Sequence, residues 1–169
     1  MLYLNTLQRQ SKGIHMRVQP IRDIVKLNEI EERLLAMSDR RGKRIFLMFE
    51  LGIYLSRRIS DILPLRVKDL RGQDTITIKE KKTNKYIELS IPVHLQRMLK
   101  RQFGGMADNA YVLESRCRKG DGTRKPITRK TAYNDMKYLA KELSMSYNVG
   151  THTLRKTFGY HYYQRTHDI

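Results

Sequence analysis

GIYLSRRISDILPLRVKDL (residues 52–70) and TITIKEKKTNKYIELSIP (residues 75–92) decide the fold class of this chain. The first stretch continues a segment whose apolar residues face nearly every direction. Ile45, Phe46, Leu47, Met48, Phe49, Leu51, Ile53 and Leu55 encircle a helix predicted over about 43–55, which should therefore be central and buried. Ser60 then reads as the cap of a short helix carrying Ile62, Leu63 and Leu65. In the second stretch the apolar period changes from that of a helix to that of a strand. Ile76 and Ile78 alternate with Thr75 and Thr77. After KEKKTNK, Ile87, Leu89 and Ile91 alternate again, which predicts a β-hairpin with a lysine-rich tip, ended by Pro92.

Working outward, Asn28 with Glu31 three residues later has the spacing of a capping box, and Ile30, Leu34 and Met37 form the stripe of the helix it would open. Residues 1–16 are polar and basic without a period and read as a linker or extension, leaving 17–169 as one domain. Beyond the hairpin a helix is predicted over about 93–103. RCRKGDGTRKPITRK (116–130) holds seven basic residues, one acid, two glycines and a proline, and reads as a flexible basic loop. Thr128 would cap the next helix, whose buried face is Ala132, Met136, Leu139 and Leu143, and a last helix starts near Thr151. The fold class is α+β, mainly helical with a small antiparallel hairpin.

The 169 residues include 34 basic and 17 acidic ones, a formal charge of +17. A globule so basic repels itself unless something negative offsets it, so nucleic acid is the first partner to consider and an anionic membrane surface the second. No apolar run approaches the roughly 18 residues of a membrane helix, and the first residues lack a signal-peptide core. The single cysteine, Cys117, allows no internal disulfide and no cysteine-based zinc site, which suits a cytoplasmic protein.

Four side chains could carry chemistry: Arg58 beside a helix cap, Lys82 on the hairpin tip, and His152 with Arg155. Each has a plain structural reading. Arg58 could be a surface partner of Asp61, the hairpin lysines could guard a sheet edge, and His152 and Arg155 could be a cap and a solvated cation. Together they have the chemistry of a phosphate site. Arginine's planar fork binds phosphate through two bonds. A lysine can protonate a leaving oxygen, and a histidine of near-neutral pKa can move a proton to or from a nucleophile. Arg57, Lys81, Lys85, Arg129 and Lys130 are candidate DNA contacts around them.

In this order the motifs resemble those of the tyrosine recombinases, or phage-type integrases. GIYLSRRISDILPLRVKDL is similar to the family's first arginine motif. KEKKTNKYIELSIP is similar to its hairpin, where the catalytic lysine precedes a threonine and corresponds to Lys82. GTHTLRKTFGYHYY is similar to its His-x-x-Arg box, and KPITRKTAYNDMKYLA to the helix just upstream. The resemblance covers about residues 17–169 and implies the catalytic domain of that family. A tyrosine attacks the scissile phosphate of double-stranded DNA and forms a 3′-phosphotyrosyl link, after which the freed 5′-hydroxyl attacks a partner strand. It implies no cofactor, no metal, and a homo-oligomer assembled on DNA. Arg58 and Arg155 would clamp the phosphate, Lys82 would protonate the leaving oxygen, and His152 would act as acid or base.

The chain departs from the family pattern twice. Ser56-Arg57 stands where the family has Gly-Leu, which leaves open which arginine faces phosphate. The family's nucleophile lies some thirty or more residues beyond the His-x-x-Arg box, whereas Tyr160, Tyr162 and Tyr163 follow Arg155 almost at once and are expected to be packing residues. The nucleophile is therefore expected to be missing and the chain inactive alone, unless a partner chain donates a tyrosine. A second reading is a basic DNA- or RNA-binding module with no catalytic role, supported by the charge and the 116–130 loop. A metal-dependent nuclease fits less well: Asp61, Asp69 and Asp74 share no single element, and His15, His94, His152, His161 and His167 are scattered.

Overall fold

The computed structural model describes residues 17–168, so the linker expected over 1–16 lies outside the described residues, as do His15 and Ile169. Six helices and two hairpins follow in the order α1 (Ile24–Ala36), α2 (Arg40–Tyr54), α3 (Ile59–Ile62), β1 (Thr75–Lys79), β2 (Tyr86–Ser90), α4 (Val93–Gln102), β3 (Glu114–Arg118), β4 (Arg124–Pro126), α5 (Arg129–Glu142) and α6 (Thr151–Thr166). A single 3-10 turn, Val67–Asp69, follows α3. The α+β class and the helix-rich balance are as expected.

Helix α2 is the axis of the molecule. Ile45 through Gly52 are all buried along it, and α1, α4, α5 and α6 pack around it. Its two glycines lie at close approaches. A Cβ on Gly42 would stand 2.2 Å from Met37 Cβ, and one on Gly52 would stand 2.3 Å from Leu154 Cδ1 and 2.9 Å from Leu154 Cβ. The second approach lets α6 lie directly on α2. At the other end of the helix, the Asp135 carboxylate of α5 accepts from Arg41 Nε at 3.0 Å and Arg44 Nε at 2.8 Å, so a buried acid is paired with two cations rather than left alone.

Hairpin β1–β2 pairs Ile76 with Leu89 and Ile78 with Ile87. Its inward side is Ile76, Ile78 and then Glu80, alternating with exposed Thr75, Thr77 and Lys79. Helix α5 is capped as predicted by Thr128, whose hydroxyl oxygen accepts the Thr131 N–H at 3.1 Å, and Ala132, Met136, Leu139 and Leu143 are buried.

Several expectations are corrected. Asn28 is not a cap. Asp23 accepts the Val25 N–H at 2.8 Å and starts α1 a turn earlier, with Ile24 and Val25 exposed and so masking the amphipathic pattern. Helix α2 likewise begins ahead of residue 43, because Asp39 accepts the N–H groups of Arg41 and Gly42. Ser60 does not cap α3; Arg58 holds that position, and the Ser60 hydroxyl donates to Asp61 Oδ1 at 3.2 Å. The segment 116–130 is not a plain loop. It forms most of the β3–β4 hairpin and then the first turn of α5. Asp121 and Gly122, the latter at φ +78, close the hairpin turn, and Glu114 joins its strands through Arg124 at 2.5 Å. Charged side chains carry no apolar alternation, so this pairing left no trace in the hydropathy pattern.

No helix among the described residues is long and apolar enough to cross a membrane. Two outcomes are expected from the packing of α2. Gly52→Val should destabilise the fold by on the order of 2 kcal/mol in urea unfolding, because Leu154 and its helix must move aside. Burial, assisted by the charge of Glu31, pushes the Glu50 carboxyl up to about 8 from an ordinary 4.5. Between those two pH values the folded chain holds a proton that the unfolded chain has released, so stability falls as pH rises through that window. Glu50→Gln should remove this slope, leaving stability below pH 4.5 near that of wild type and raising it at pH 8 by on the order of 4 kcal/mol, measured by denaturant unfolding across pH.

Candidate functional site

The turn after α2 decides where the two adjacent arginines go. Leu55 caps the helix in right-handed backbone, and Ser56 then takes φ +49, the left-handed region. This is the position at which the resemblance leads one to expect glycine, and serine meets the same backbone demand at some conformational cost. The chain leaves the turn extended at Arg58 (φ −65, ψ 146), which enters α3 without a side-chain cap bond. The two guanidinium groups now differ. Arg57 Nε donates to Leu55 O at 3.1 Å and its Nη1 donates to Glu80 Oε1 at 3.3 Å. Arg58 Nη1 lies 3.6 Å from the same oxygen and has no hydrogen-bond partner among the described residues. The surface pairing of Arg58 with Asp61 that the sequence allowed is not formed; the ion-pair partner of Arg58 is Glu80.

Glu80 and Asp61 are the two acids of the site, and both are buried. Glu80 Oε2 accepts the Thr83 hydroxyl at 2.7 Å. That hydroxyl, then the charges of Arg58, Arg57 and Arg155, hold the Glu80 carboxyl below the ordinary carboxylate range, against the upward push of burial. Asp61 Oδ1 accepts the Lys81 N–H at 3.0 Å and so fastens the hairpin tip to α3, while its Oδ2 has no hydrogen-bond partner among the described residues.

The other half of the site comes from α5 and α6. Thr153, Leu154 and Thr157 form the buried face of α6, where the Thr157 hydroxyl donates to Thr153 O at 2.8 Å and accepts the Ile21 N–H at 2.9 Å. With that face turned inward, His152 is exposed and Arg155 half-buried. A cleft of about 380 Å³ is lined by Arg58, Ile59, Ser60, Arg129, Lys130, Tyr133, Thr151 and His152. The chain therefore brings Arg58 and His152, some ninety positions apart in sequence, to one cleft, with Arg129 and Lys130 on its rim. Arg155 stands close enough to Glu80 to act on its titration. Lys82 is not part of the cleft. It is exposed on the hairpin turn beside Lys81, with Lys85 beyond the left-handed Asn84 (φ +59).

Two arginines and a lysine around an open cleft that also holds a histidine can receive an anionic group with several acceptor oxygens. Among the described residues no group of three or more His, Cys, Asp and Glu side chains could hold a metal ion. The expected packing role of the three late tyrosines holds only in part: Tyr162 stacks on Phe158 at 5.8 Å and Tyr160 lies 5.8 Å from the Arg22 guanidinium, but Tyr162 and Tyr163 are exposed. Sequence reading missed Glu80 and the bond by which Asp61 fastens the hairpin tip to α3. The signal for Glu80 was present, since it continues the inward Ile76, Ile78 alternation as the sole acid in a run of lysines.

The phage integrase family model matches residues 23–169. The chain is 41% identical over 152 residues to the probable integrase/recombinase YoeC of Bacillus subtilis (strain 168), covering 90% of this chain and 78% of that protein. In fold it is similar to the XerH site-specific recombinase solved in a pre-cleavage complex with its difH substrate, with a TM-score of 0.65 at 20% identity over 90% of this chain and 44% of that one. The lambda integrase catalytic core is similar over 89% of this chain and 85% of that chain, with a TM-score of 0.60 at 16% identity. The chain thus spans less than half the length of the XerH chain it matches.

The turn generates its own test. Ser56→Gly should raise stability by about 0.5–1 kcal/mol in urea unfolding, since the φ of +49 is retained without a Cβ. Ser56→Val should lower stability.

Proposed function

This chain belongs to the phage integrase family, and from that premise we propose that it is a DNA-binding catalytic domain of a site-specific tyrosine recombinase, inactive in strand cleavage by itself. The observation that carries the reading is the cleft lined by Arg58, His152, Arg129 and Lys130; Arg155 does not line it, but its charge acts on Glu80.

In this reading a backbone phosphate of double-stranded DNA occupies the cleft. Arg58 and Arg155 hold its non-bridging oxygens, where charge must be stabilised as the phosphorus changes partners. His152 moves the proton of an attacking tyrosine hydroxyl. The bond from phosphorus to the tyrosine oxygen forms as the bond to the 5′ oxygen breaks, and Lys82 supplies the proton that the 5′ oxygen takes up. Attack by a 5′-hydroxyl of a partner strand on the phosphotyrosine reverses these transfers, so no metal, cofactor or nucleotide hydrolysis is required. Lys82 would meet the leaving oxygen only with DNA seated against the hairpin turn. Lys81, Lys85, Arg129 and Lys130 would contact flanking phosphates, and strand exchange would need a homo-oligomer on DNA. In this reading Tyr160, Tyr162 and Tyr163 are not the nucleophile: they share the helix of Arg155 and are engaged with neighbouring rings and Arg22.

Duplex binding should weaken linearly on a log–log plot against salt, and Arg155→Ala should make that slope shallower by about 0.9, the equivalent of one phosphate contact. On a nicked suicide duplex the wild-type chain should give no covalent adduct in denaturing gels. An adduct would overturn the inactivity, and binding indifferent to salt would overturn the whole reading.

A further inference from the structure

The core does not account for residues 114–126. None of them is buried. Strands β3 and β4 pair as a ribbon whose base is anchored by the Ile127 N–H on Leu113 O at 2.8 Å and by Arg40 Nη2 on Ser115 O at 3.3 Å. A two-stranded hairpin is marginal without an apolar face to bury. This one carries five cations from Arg116 to Lys125 against the one acid Asp121. Arg118 and Arg124 stand directly opposite each other in the register, and like charges so placed destabilise a sheet. Glu114 offsets Arg124 at 2.5 Å, whereas Arg118 donates to the neutral Gly122 O at 3.0 Å, a bond that leaves its charge uncompensated. The Lys119 charge acts on Asp121, whose carboxylate already accepts the Thr123 N–H at 2.9 Å and hydroxyl at 2.6 Å. Arg118, Lys119 and Arg124 also line an open cleft of about 470 Å³ with Arg66, whose guanidinium is held over the Tyr111 ring at 4.3 Å. Four cations thus meet one carboxylate there, and the cleft shares no lining residue with that of Arg58 and His152.

We propose that the β3–β4 hairpin is a second contact for duplex DNA, separate from the cleft of Arg58 and His152, and that the cleft beside its tip takes backbone phosphates. The inference rests on the DNA-binding reading above. A polyanion relieves the repulsion between Arg118 and Arg124, so the charge that weakens the free ribbon favours the bound one. One duplex can reach both clefts. Strand β4 runs into α5 through Ile127 and Thr128, and the five residues from Arg124 to Arg129 span at most about 18 Å. That is about five base pairs at roughly 3.4 Å each. Contacts to phosphate position a protein on a duplex without reading its bases, so the hairpin lengthens the grip and leaves sequence choice to other residues.

Cys117, the only cysteine of the chain, is exposed on β3 between Arg116 and Arg118 and reports on the hairpin without any substitution. Saturating the full chain with duplex DNA should slow its alkylation by iodoacetamide, an uncharged reagent, several-fold. An unchanged rate overturns the proposal. Phosphate contacts are then counted through the salt dependence of duplex binding, with thermal melting confirming each variant's fold. Arg118→Gln/Lys119→Gln should make the slope shallower by about 1.8, the equivalent of two contacts. Arg97→Gln/Lys100→Gln, which removes the same charge from exposed positions of α4, should leave the slope near the wild-type value. An unaltered slope in the hairpin variant overturns the proposal whether or not Cys117 is shielded. So does an equal loss in the α4 variant, because net charge would then explain both. If either variant does not fold, the shielding of Cys117 in wild type decides by itself. Salt-indifferent binding by wild type overturns both this proposal and the reading it rests on, whereas salt-dependent binding with Cys117 unshielded overturns this proposal alone.

Discussion

The contact between Gly52 and Leu154 is the constraint on which the site depends. Helix α2 leads directly into the turn that carries Arg57 and Arg58, and α6 carries His152 and Arg155. The two halves of the cleft can be held at one place only if these helices lie nearly backbone to side chain, and the absent side chain at Gly52 permits that. The buried face of α6 is unusual in consisting largely of Thr153 and Thr157 beside Leu154. Hydroxyls on a packed face are acceptable because each finds a backbone partner, and Thr157 thereby also ties Ile21 to the helix. Apolar packing thus fixes distance, while the threonine bonds fix the rotation that turns His152 outward.

Electrostatic organisation follows from the same economy. With 34 basic residues against 17 acids, the few carboxylates are placed where cations crowd. Asp135 serves Arg41 and Arg44 at one end of α2, Glu80 serves Arg57 and Arg58 at the other, and Glu114 serves Arg40 and Arg124. Each of these acids is largely shielded from solvent, where its attraction for a cation is screened least. The remaining positive charge is displayed on the hairpin tips and the first turn of α5, where a polyanion can reach it.

Much of this was legible in the sequence. The all-round apolar helix, the alternation of β1 and β2, the Thr128 cap and the three-residue spacing of His152 and Arg155 are local patterns, and each appears as the sequence implied. Helices α1 and α2 begin earlier than expected because Asp23 and Asp39 cap them ahead of their apolar stripes. The β3–β4 hairpin was illegible because its stability comes from a turn and from ion pairs, neither of which has a hydrophobic period. The convergence of Arg58 and His152 was not a local property at all. It followed from the ordered likeness to a family, and residue chemistry could only say that such a meeting would be useful. The shared pairing of Arg57 and Arg58 with Glu80 depended on a residue more than twenty positions away, which no reading of the Ser56-Arg57-Arg58 triplet could supply.

The alternation that turns Glu80 inward has a consequence for how this segment can change over generations. Along β1 the core-facing set is Ile76, Ile78 and Glu80, and a slip of one position would send that acid to solvent and drive a lysine into the interior. An insertion or deletion of one residue between Ile78 and Glu80 would therefore strip the arginines of their counter-ion. Changes of two residues would preserve the parity. The length of that short stretch, counted odd or even, thus decides which of its side chains face the core.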